Sequence, residues 1–280
     1  MKLLNEKTDL RLRVRWGAGI LLFLVVGSLI YGKFLTPLSE ARAQTLLEKD
    51  FVPALLNGVA PVGYPIETGT SVAVLEVKDI DLRRVVIEGT KAEDLVKGPG
   101  HLVGSAMPGQ PGTSAILGRS SRYGSAFARL DELKSGQVVT VTTAQGEHTY
   151  EVVDSTVRSA NDSAAFIGER NMLLLITGVG GSSPDKRLVV RALLTSPVFF
   201  AGAPAVDVQT STAELGLEGS THSPVQLALW LVLLTFLLIS LVPVSQRIGT
   251  RVTWLLAVPI LLVVATQVWN NASLMYPSIG

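Results

Sequence analysis

The sequence of 280 residues contains no cysteine, and histidine is scarce, with three residues in the whole chain. A domain without cysteine has no disulfide, so its stability must come from a packed hydrophobic core. It also has no thiol that could act as a nucleophile. Any covalent chemistry would therefore depend on a hydroxyl, an amine or a carboxylate.

The chain also lacks an excess of charge of either sign, since 24 Lys and Arg residues face 23 Asp and Glu residues. No basic stripe is interleaved with aromatic residues, so the sequence does not predict a nucleic-acid partner. What it has in quantity is apolar residues, at 48% of the chain. The mean hydropathy of +0.40 is high for a soluble protein.

Three apolar runs account for this excess and predict three membrane-spanning helices, at residues 16–35, 225–244 and 253–269. Basic residues lie in the first fifteen residues and, as Arg247 and Arg251, between the last two runs. By the positive-inside rule both segments are cytoplasmic. Residues 36–222 and 270–280 are then outside the membrane.

Two alternatives to this topology stay open. The apolar runs could be buried helices of a soluble core, although three runs with so little charge favour membrane spans. The first run could belong to a cleaved signal peptide, because Ala41-Arg42-Ala43 resembles a small-x-small cleavage site. The site lies farther from the apolar run than usual, so an uncleaved anchor is favoured.

The external region is predicted to begin with a juxtamembrane helix over 36–58 and to continue as a β-rich domain over 59–194. Strands are expected within 71–88, at 113–117, in a hairpin over 137–157, and as a closing pair over 173–194. Short helices are expected after a capping box at Thr90, over 125–133, and over 163–169. Many short strands with Gly and Pro turns favour a closed barrel or a sandwich. Residues 195–222 are predicted to be a flexible linker.

The order of motifs in this domain resembles the sortases, cysteine transpeptidases on the outer face of Gram-positive membranes. The resemblance covers residues 44–194 and implies an eight-stranded sortase-like β-barrel with short helices, so that the whole protein is expected to be mainly β with three transmembrane helices. Six motifs in register carry the resemblance: Val59-Ala60-Pro61-Val62-Gly63, Val86-Ile87-Glu88-Gly89-Thr90, Gly98-Pro99-Gly100-His101, Met107-Pro108-Gly109-Gln110-Pro111-Gly112, Tyr123-Gly124 with Phe127 to Leu133, and Lys186-Arg187-Leu188-Val189-Val190.

Two of the three side chains that an active sortase uses are missing at the matching positions. The family uses a cysteine nucleophile, a histidine and an arginine that stabilises the oxyanion. The resemblance places Gly178 where the cysteine belongs and Arg119 where the histidine belongs, while Arg187 matches the arginine. The nearby hydroxyls of Thr177 and Ser182 have no predicted base to activate them.

The remaining charged groups suggest a binding site. If Arg119 and Arg187 share a pocket, their repulsion favours an anion there, such as a carboxylate or a phosphate. An internal acid, namely Asp162, Glu169 or Asp185, could take the same place. His101 is a further candidate contact, although a structural role in its loop is the stronger interpretation. His148 is expected on an exposed strand, and His222 lies in the linker.

The sequence therefore predicts a membrane-anchored, extracytoplasmic pseudo-sortase that is not an enzyme and has no cofactor or metal. Its role would be to bind a peptide or an anionic envelope ligand, or to act as a scaffold with a membrane-protein partner. Two alternatives stay open: an active transpeptidase or hydrolase with Thr177 or Ser182 as nucleophile, and a structural subunit of an envelope complex. Ligand-binding residues are predicted at Arg119, Arg187, Thr177 and His101.

Overall fold

The computed structural model describes residues 19, 22, 25–27, 29–159, 162, 171–180, 185–200, 215–216, 220, 223–276 and 279. The described residues form two compact units. One contains the described part of Met1–Leu35 together with His222–Ser273. The other contains the described part of Thr36–Thr221 together with Leu274–Gly280, and it holds all the strands.

The unit with the strands begins with helix α1, and a second, short helix follows β2. The elements in chain order are α1 (Thr36–Leu56), β1 (Ser71–Val77), β2 (Leu82–Glu88), α2 (Ala92–Leu95), β3 (Gly100–His101), β4 (Thr113–Leu117), β5 (Val138–Thr143), β6 (Gly146–Ser159), β7 (Met172–Val179) and β8 (Lys186–Leu194). Short 3-10 turns lie at Lys78–Ile80, Tyr123–Ser125 and Leu130–Glu132.

The eight strands close into a barrel in the order β1-β2-β3-β4-β7-β8-β6-β5. The pairs β2–β3 and β4–β7 are parallel and the other pairs are antiparallel. Closure gives each strand a neighbouring strand on both sides. The prediction of an eight-stranded barrel is confirmed.

Strand β7 is an unbroken apolar run because both of its faces are buried. Successive side chains of a strand point to opposite faces. Leu173 and Leu175 accordingly belong to the interior cluster, the large core that fills the barrel, whereas Leu174 and Ile176 belong to a second cluster on the other face. This outer cluster consists of Leu95, Leu102, Ala115, Leu117, Leu174, Ile176, Val189 and Ile279.

Helix α1 confirms the helix predicted at 36–58. Its buried Phe51 packs against Val74 and Val85 on the first two strands. The side-chain amide of Gln44 donates to the carbonyl of Val85 at 3.1 Å and accepts from the Val85 N–H at 2.8 Å. Because Gln44 pairs with the backbone of β2 as a neighbouring strand would, it fixes the helix on the barrel.

Several local predictions differ from the structure. In place of one helical segment over 125–133, two separate 3-10 turns lie at Tyr123–Ser125 and Leu130–Glu132, because Gly124 and Ser125 have positive φ angles and interrupt a regular helix. The capping box does not form, since the N-cap of α2 is Lys91, without a side-chain cap. The helix predicted over 163–169 lies outside the described residues.

The other unit contains α3 (Ser223–Ile248) and α4 (Thr250–Leu274), which are long and apolar enough to cross a membrane. Helices thus lie at two of the predicted spans, and by length and composition they are candidates to cross a membrane. The prediction of three spans is not confirmed, because most of residues 16–35 lie outside the described part of the chain. The prediction of a mainly β protein is wrong for the whole chain: the helices of 21, 26 and 25 residues contain more residues than the eight strands.

Candidate functional site

The predicted catalytic positions converge where β7 meets β8. Gly178 is the direct cross-strand partner of Arg187 in the antiparallel ladder. Counting by two from Ile176 and from Val189, both residues face the side of the sheet that carries the outer cluster. Gly178 is buried within a strand and does not have a positive φ angle. Its backbone is therefore one that a residue with a side chain could also adopt.

Arg187 is buried, with 1% of its surface exposed. Burial lowers the pKa of Arg187 to about 10, and the negative charge of Asp162 opposes this shift. Asp162 also accepts a hydrogen bond at 3.1 Å from Arg158, the cross-strand partner of Arg187 on β6. Of the three acids considered, Asp162 thus acts on the charge of Arg187. Asp185 is exposed, and Glu169 lies outside the described residues.

Arg119 follows the end of β4 and is 2% exposed. Its guanidinium donates to the carbonyl of Ala92 at 3.4 Å and lies 5.2 Å from the ring centroid of Tyr123. A guanidinium in this position provides charge and hydrogen-bond donors, and it cannot act as a base. The sharing of one pocket by Arg119 and Arg187 stays a prediction.

Thr177 faces the barrel interior. It pairs with Leu188, a member of the interior cluster, and alternates with Gly178 along β7. Its hydroxyl donates to the carbonyl of Gly118 at 2.8 Å. This contact joins the end of β7 to the end of β4, so the hydroxyl has a structural partner. The second hydroxyl considered, that of Ser182, lies outside the described residues.

His101 also lies on the interior face. Its partner in β4 is Ile116, a member of the interior cluster, whereas the next residue, Leu102, belongs to the outer cluster. The imidazole Nδ1 lies 2.8 Å from the carboxylate of Glu88, and Nε2 lies 2.9 Å from the hydroxyl of Ser105. The hydroxyl of Tyr64 is 3.2 Å from the same carboxylate. This polar network supports a structural role for His101.

A residue that follows α4 contacts the backbone of Gly178. The N–H of Gly178 donates to the carbonyl oxygen of Ile279 at 3.2 Å, and the N–H of Ser120 donates to the same oxygen at 3.3 Å. The hydroxyl of Ser120 is 3.4 Å from it. Ile279 is fully buried in the outer cluster. Two backbone donors therefore converge on one peptide carbonyl beside the position of the missing cysteine.

Sequence reasoning missed Ser120 and Ile279 as site residues. Residues 270–280 carry no charge and were expected only to be an external tail. Periodicity indicates only how residues within one helix or strand are arranged. The contact of Ile279 with Ser120 and Gly178 joins residues far apart in the chain. His148 differs from its prediction as well, because it is completely buried. Its Nε2 lies 2.8 Å from the hydroxyl of Thr143. His222 lies outside the described residues.

No metal centre is found among the described residues, which contain no group of three or more His, Asp or Glu side chains that could hold an ion. The donors at Gly178 and Ser120 are N–H groups. Such donors suit a carbonyl oxygen or an anion. Of the arrangements in this region, the one around Ile279 is suited to holding a peptide main chain.

Known proteins resemble this chain in its barrel. The Sortase family model, described as "Sortase domain", matches residues 75–195. Sortase D of Bacillus subtilis (strain 168) is 32% identical over 129 residues, which cover 44% of this chain and 64% of that protein. The chain thus spans less than two thirds of the length of this relative. Two solved structures from Clostridium perfringens are also similar.

The Sortase D5 transpeptidase is 21% identical, with a TM-score of 0.48, and the match covers 55% of this chain and 99% of that one. Sortase C with the C-terminal cell wall sorting motif is 22% identical, with a TM-score of 0.43, covering 56% and 90%. Residues 75–195, which contain most of the eight-stranded barrel, thus match the Sortase domain model. The chain has no cysteine, so it lacks a nucleophile for cysteine transpeptidation.

Proposed function

We propose that this protein is a membrane-anchored pseudo-sortase that binds an extended peptide without cleaving it. The observation that carries the proposal is the pair of backbone N–H groups, from Gly178 and Ser120, that hold the carbonyl oxygen of Ile279. A peptide main chain held beside a glycine is bound but not attacked. The site thus combines recognition of a peptide with the loss of the reacting group.

The contacts of the remaining candidate residues support a non-catalytic role. A hydroxyl nucleophile needs an adjacent base. Thr177 points to the barrel interior and donates to a carbonyl, which accepts its proton in a hydrogen bond but cannot remove it. His101 is held on the interior face by Glu88 and Ser105. Among the described residues, neither side chain provides a nucleophile and base pair at Gly178.

The contacts at Gly178 favour a peptide main chain as the ligand. Its N–H and that of Ser120 already hold a peptide carbonyl oxygen. Asp162 lies near Arg187 and accepts a hydrogen bond from Arg158. We therefore assign Arg187 and Arg119 to the walls of a peptide site, with Thr177 and His101 supporting the strands behind it.

The proposed location is the outer side of a membrane, with α3 and α4 as two spans and residues 16–35 as a third. Part of the first run packs on α4: the hydroxyl of Tyr31 donates to the side-chain oxygen of Asn270 at 3.2 Å, and its ring lies 5.9 Å from that of Trp269. A side chain at Gly27 would meet the indole of Trp269. Such close contacts between small and aromatic residues are typical of packed membrane helices.

The test is to incubate the full-length protein in detergent with peptides that carry a sorting motif and to follow cleavage by mass spectrometry. We expect no product from the wild type or from Arg119→His, because neither has a nucleophile. Gly178→Cys combined with Arg119→His is the gain-of-function control, since the strand backbone at Gly178 accepts a side chain. Turnover by the wild type that Thr177→Ala abolishes would establish the enzyme alternative.

A further inference from the structure

We infer that the chain after α4, of which Met275, Tyr276 and Ile279 are described (the segment), is an intramolecular ligand of the proposed peptide site at Gly178 (the groove), and that an external peptide must displace it before binding. The inference rests on the proposed function, because it concerns regulation of the same peptide site. The main-chain contacts at Ile279 and the burial of its side chain argue for a specific contact.

The side chain of Ile279 is the anchor of the segment. It is fully buried among the apolar residues of the outer cluster, which come from α2, the loop after β3, and strands β4, β7 and β8. Burial of an aliphatic side chain of this size is among the larger single contributions to docking. Met275, four residues earlier in the same segment, is 45% exposed. The segment thus places one apolar side chain in the pocket and leaves another outside it.

A second contact lies three residues before the anchor. The guanidinium of Arg122 lies 5.1 Å from the ring centroid of Tyr276, within the range of a cation–π interaction. Arg122 has a positive φ angle, as does the next residue, Tyr123. The loop that follows β4 thus contacts the segment at two points, through Arg122 at Tyr276 and through Ser120 at Ile279.

These contacts define the chemical class of an external competitor. It is a peptide with an aromatic residue three positions before an aliphatic one. The carbonyl of the aliphatic residue would accept from Gly178 and Ser120. A charged residue in the outer cluster would be buried without a partner, which is strongly unfavourable.

Covalent attachment gives the segment an advantage over such a peptide. A tethered ligand acts at an effective concentration on the order of millimolar when the linker is short. The affinity measured for an external peptide is reduced by the fraction of molecules whose groove is unoccupied. Release of the segment is therefore expected to raise the apparent affinity for the external peptide, while the groove itself stays unchanged.

The experiment uses the full-length protein in detergent micelles as wild type, Ile279→Asp and the matched control Met275→Asp. Hydrogen exchange read by mass spectrometry follows the peptic fragments that contain the amides of Ser120 and Gly178, and so reports whether the segment is docked. Fluorescence anisotropy measures binding of a labelled synthetic peptide with the sequence of residues 272–280. The same peptide with aspartate at the isoleucine position is the negative probe.

We expect Ile279→Asp to speed exchange at both amides and to tighten binding of the peptide, each by about tenfold or more, because a buried aliphatic anchor is lost. Met275→Asp should leave both values at the wild-type level, and the negative probe should not bind. Unchanged exchange in Ile279→Asp would overturn the inference. Equal binding by wild type and Ile279→Asp would also overturn it while supporting the proposed function. Faster exchange without binding would contradict both the peptide-binding function and the competition.

Discussion

Polar groups are arranged differently on the two faces of the sheet formed by β4, β7 and β8. On the interior face, Thr177 donates to a backbone carbonyl, and the neighbouring His101 lies in a network with Glu88, Ser105 and Tyr64. On the face that carries the outer cluster, Gly178 has no side chain, and its N–H contacts Ile279, which lies after α4. The interior polar groups thus contact one another and the barrel backbone, whereas the N–H of Gly178 contacts a segment outside the sheet.

The predicted nucleophile position lies on the face that carries the outer cluster. Gly178 stands there, and its cross-strand partner is Arg187. The barrel thus closes without a side chain at this position, and the N–H of Gly178 contacts the carbonyl of Ile279.

The largest expected effect comes from breaking the interior network with His101→Ala. The substitution leaves the buried carboxylate of Glu88 without its nearest nitrogen partner. Removal of one hydrogen-bond partner from a buried polar group costs about 1–3 kcal/mol, and truncation of a buried side chain adds the cost of a cavity. We expect a loss of this size in the free energy of opening of β2 and β3, measured from hydrogen exchange of their amides.

The matched control for His101→Ala is Glu132→Gln, which breaks the exposed pair of Arg129 and Glu132. No measurable change is expected there, because exposed pairs contribute little. Equal effects of the two substitutions would contradict the structural role assigned to the interior network.

An intermediate effect is expected for Thr177→Val, which has nearly the same shape but no donor for the carbonyl of Gly118. Loss of one buried hydrogen bond costs about 1 kcal/mol. The exchange of amides at the ends of β4 and β7 should increase accordingly, while peptide binding in the Ile279→Asp background stays unchanged. Thr177→Ser keeps the donor and is the control. Reduced peptide binding in Thr177→Val would place Thr177 in the groove site after all.

The smallest effect on stability at neutral pH is expected for His148→Gln. His148 is buried on the interior face beside Thr143. Burial lowers the pKa of His148, so the unfolded chain binds more protons as the pH falls below about 6.5. Its contribution is fully present above that pH and is lost as the pH falls toward the folded pKa. The thermal midpoint should therefore fall less steeply with acidification in His148→Gln than in the wild type.

The wild type and His148→Gln share the other titrating groups. Burial raises the pKa of Glu40, and the nearby Arg84 opposes the shift. Stability from this carboxyl is therefore lost as the pH rises through its folded pKa, opposite in direction to the effect of His148. The contribution of Glu40 is the same in both proteins, so it drops out when the thermal midpoint of one is subtracted from that of the other. Parallel pH profiles would show that His148 does not titrate differently in the folded state.

The sequence alone determined the strands, the barrel and the missing nucleophile. The alternating and continuous apolar runs predict β1, β4 and β7 because period and burial are local properties of a strand. The motifs around Gly98-Pro99-Gly100-His101 and Lys186-Arg187 carry the resemblance to the sortases. The lack of cysteine follows from composition. The helices α3 and α4 follow from length and hydropathy.

The pairing of β7 with β8 in the folded barrel sets which face each predicted site residue occupies. Thr177 and Gly178 are neighbours in sequence, yet strand alternation places them on opposite faces once the register with Leu188 and Arg187 is set. The contact between Gly178 and Ile279 was likewise beyond prediction. No local pattern encodes the pairing of two segments so far apart in the chain.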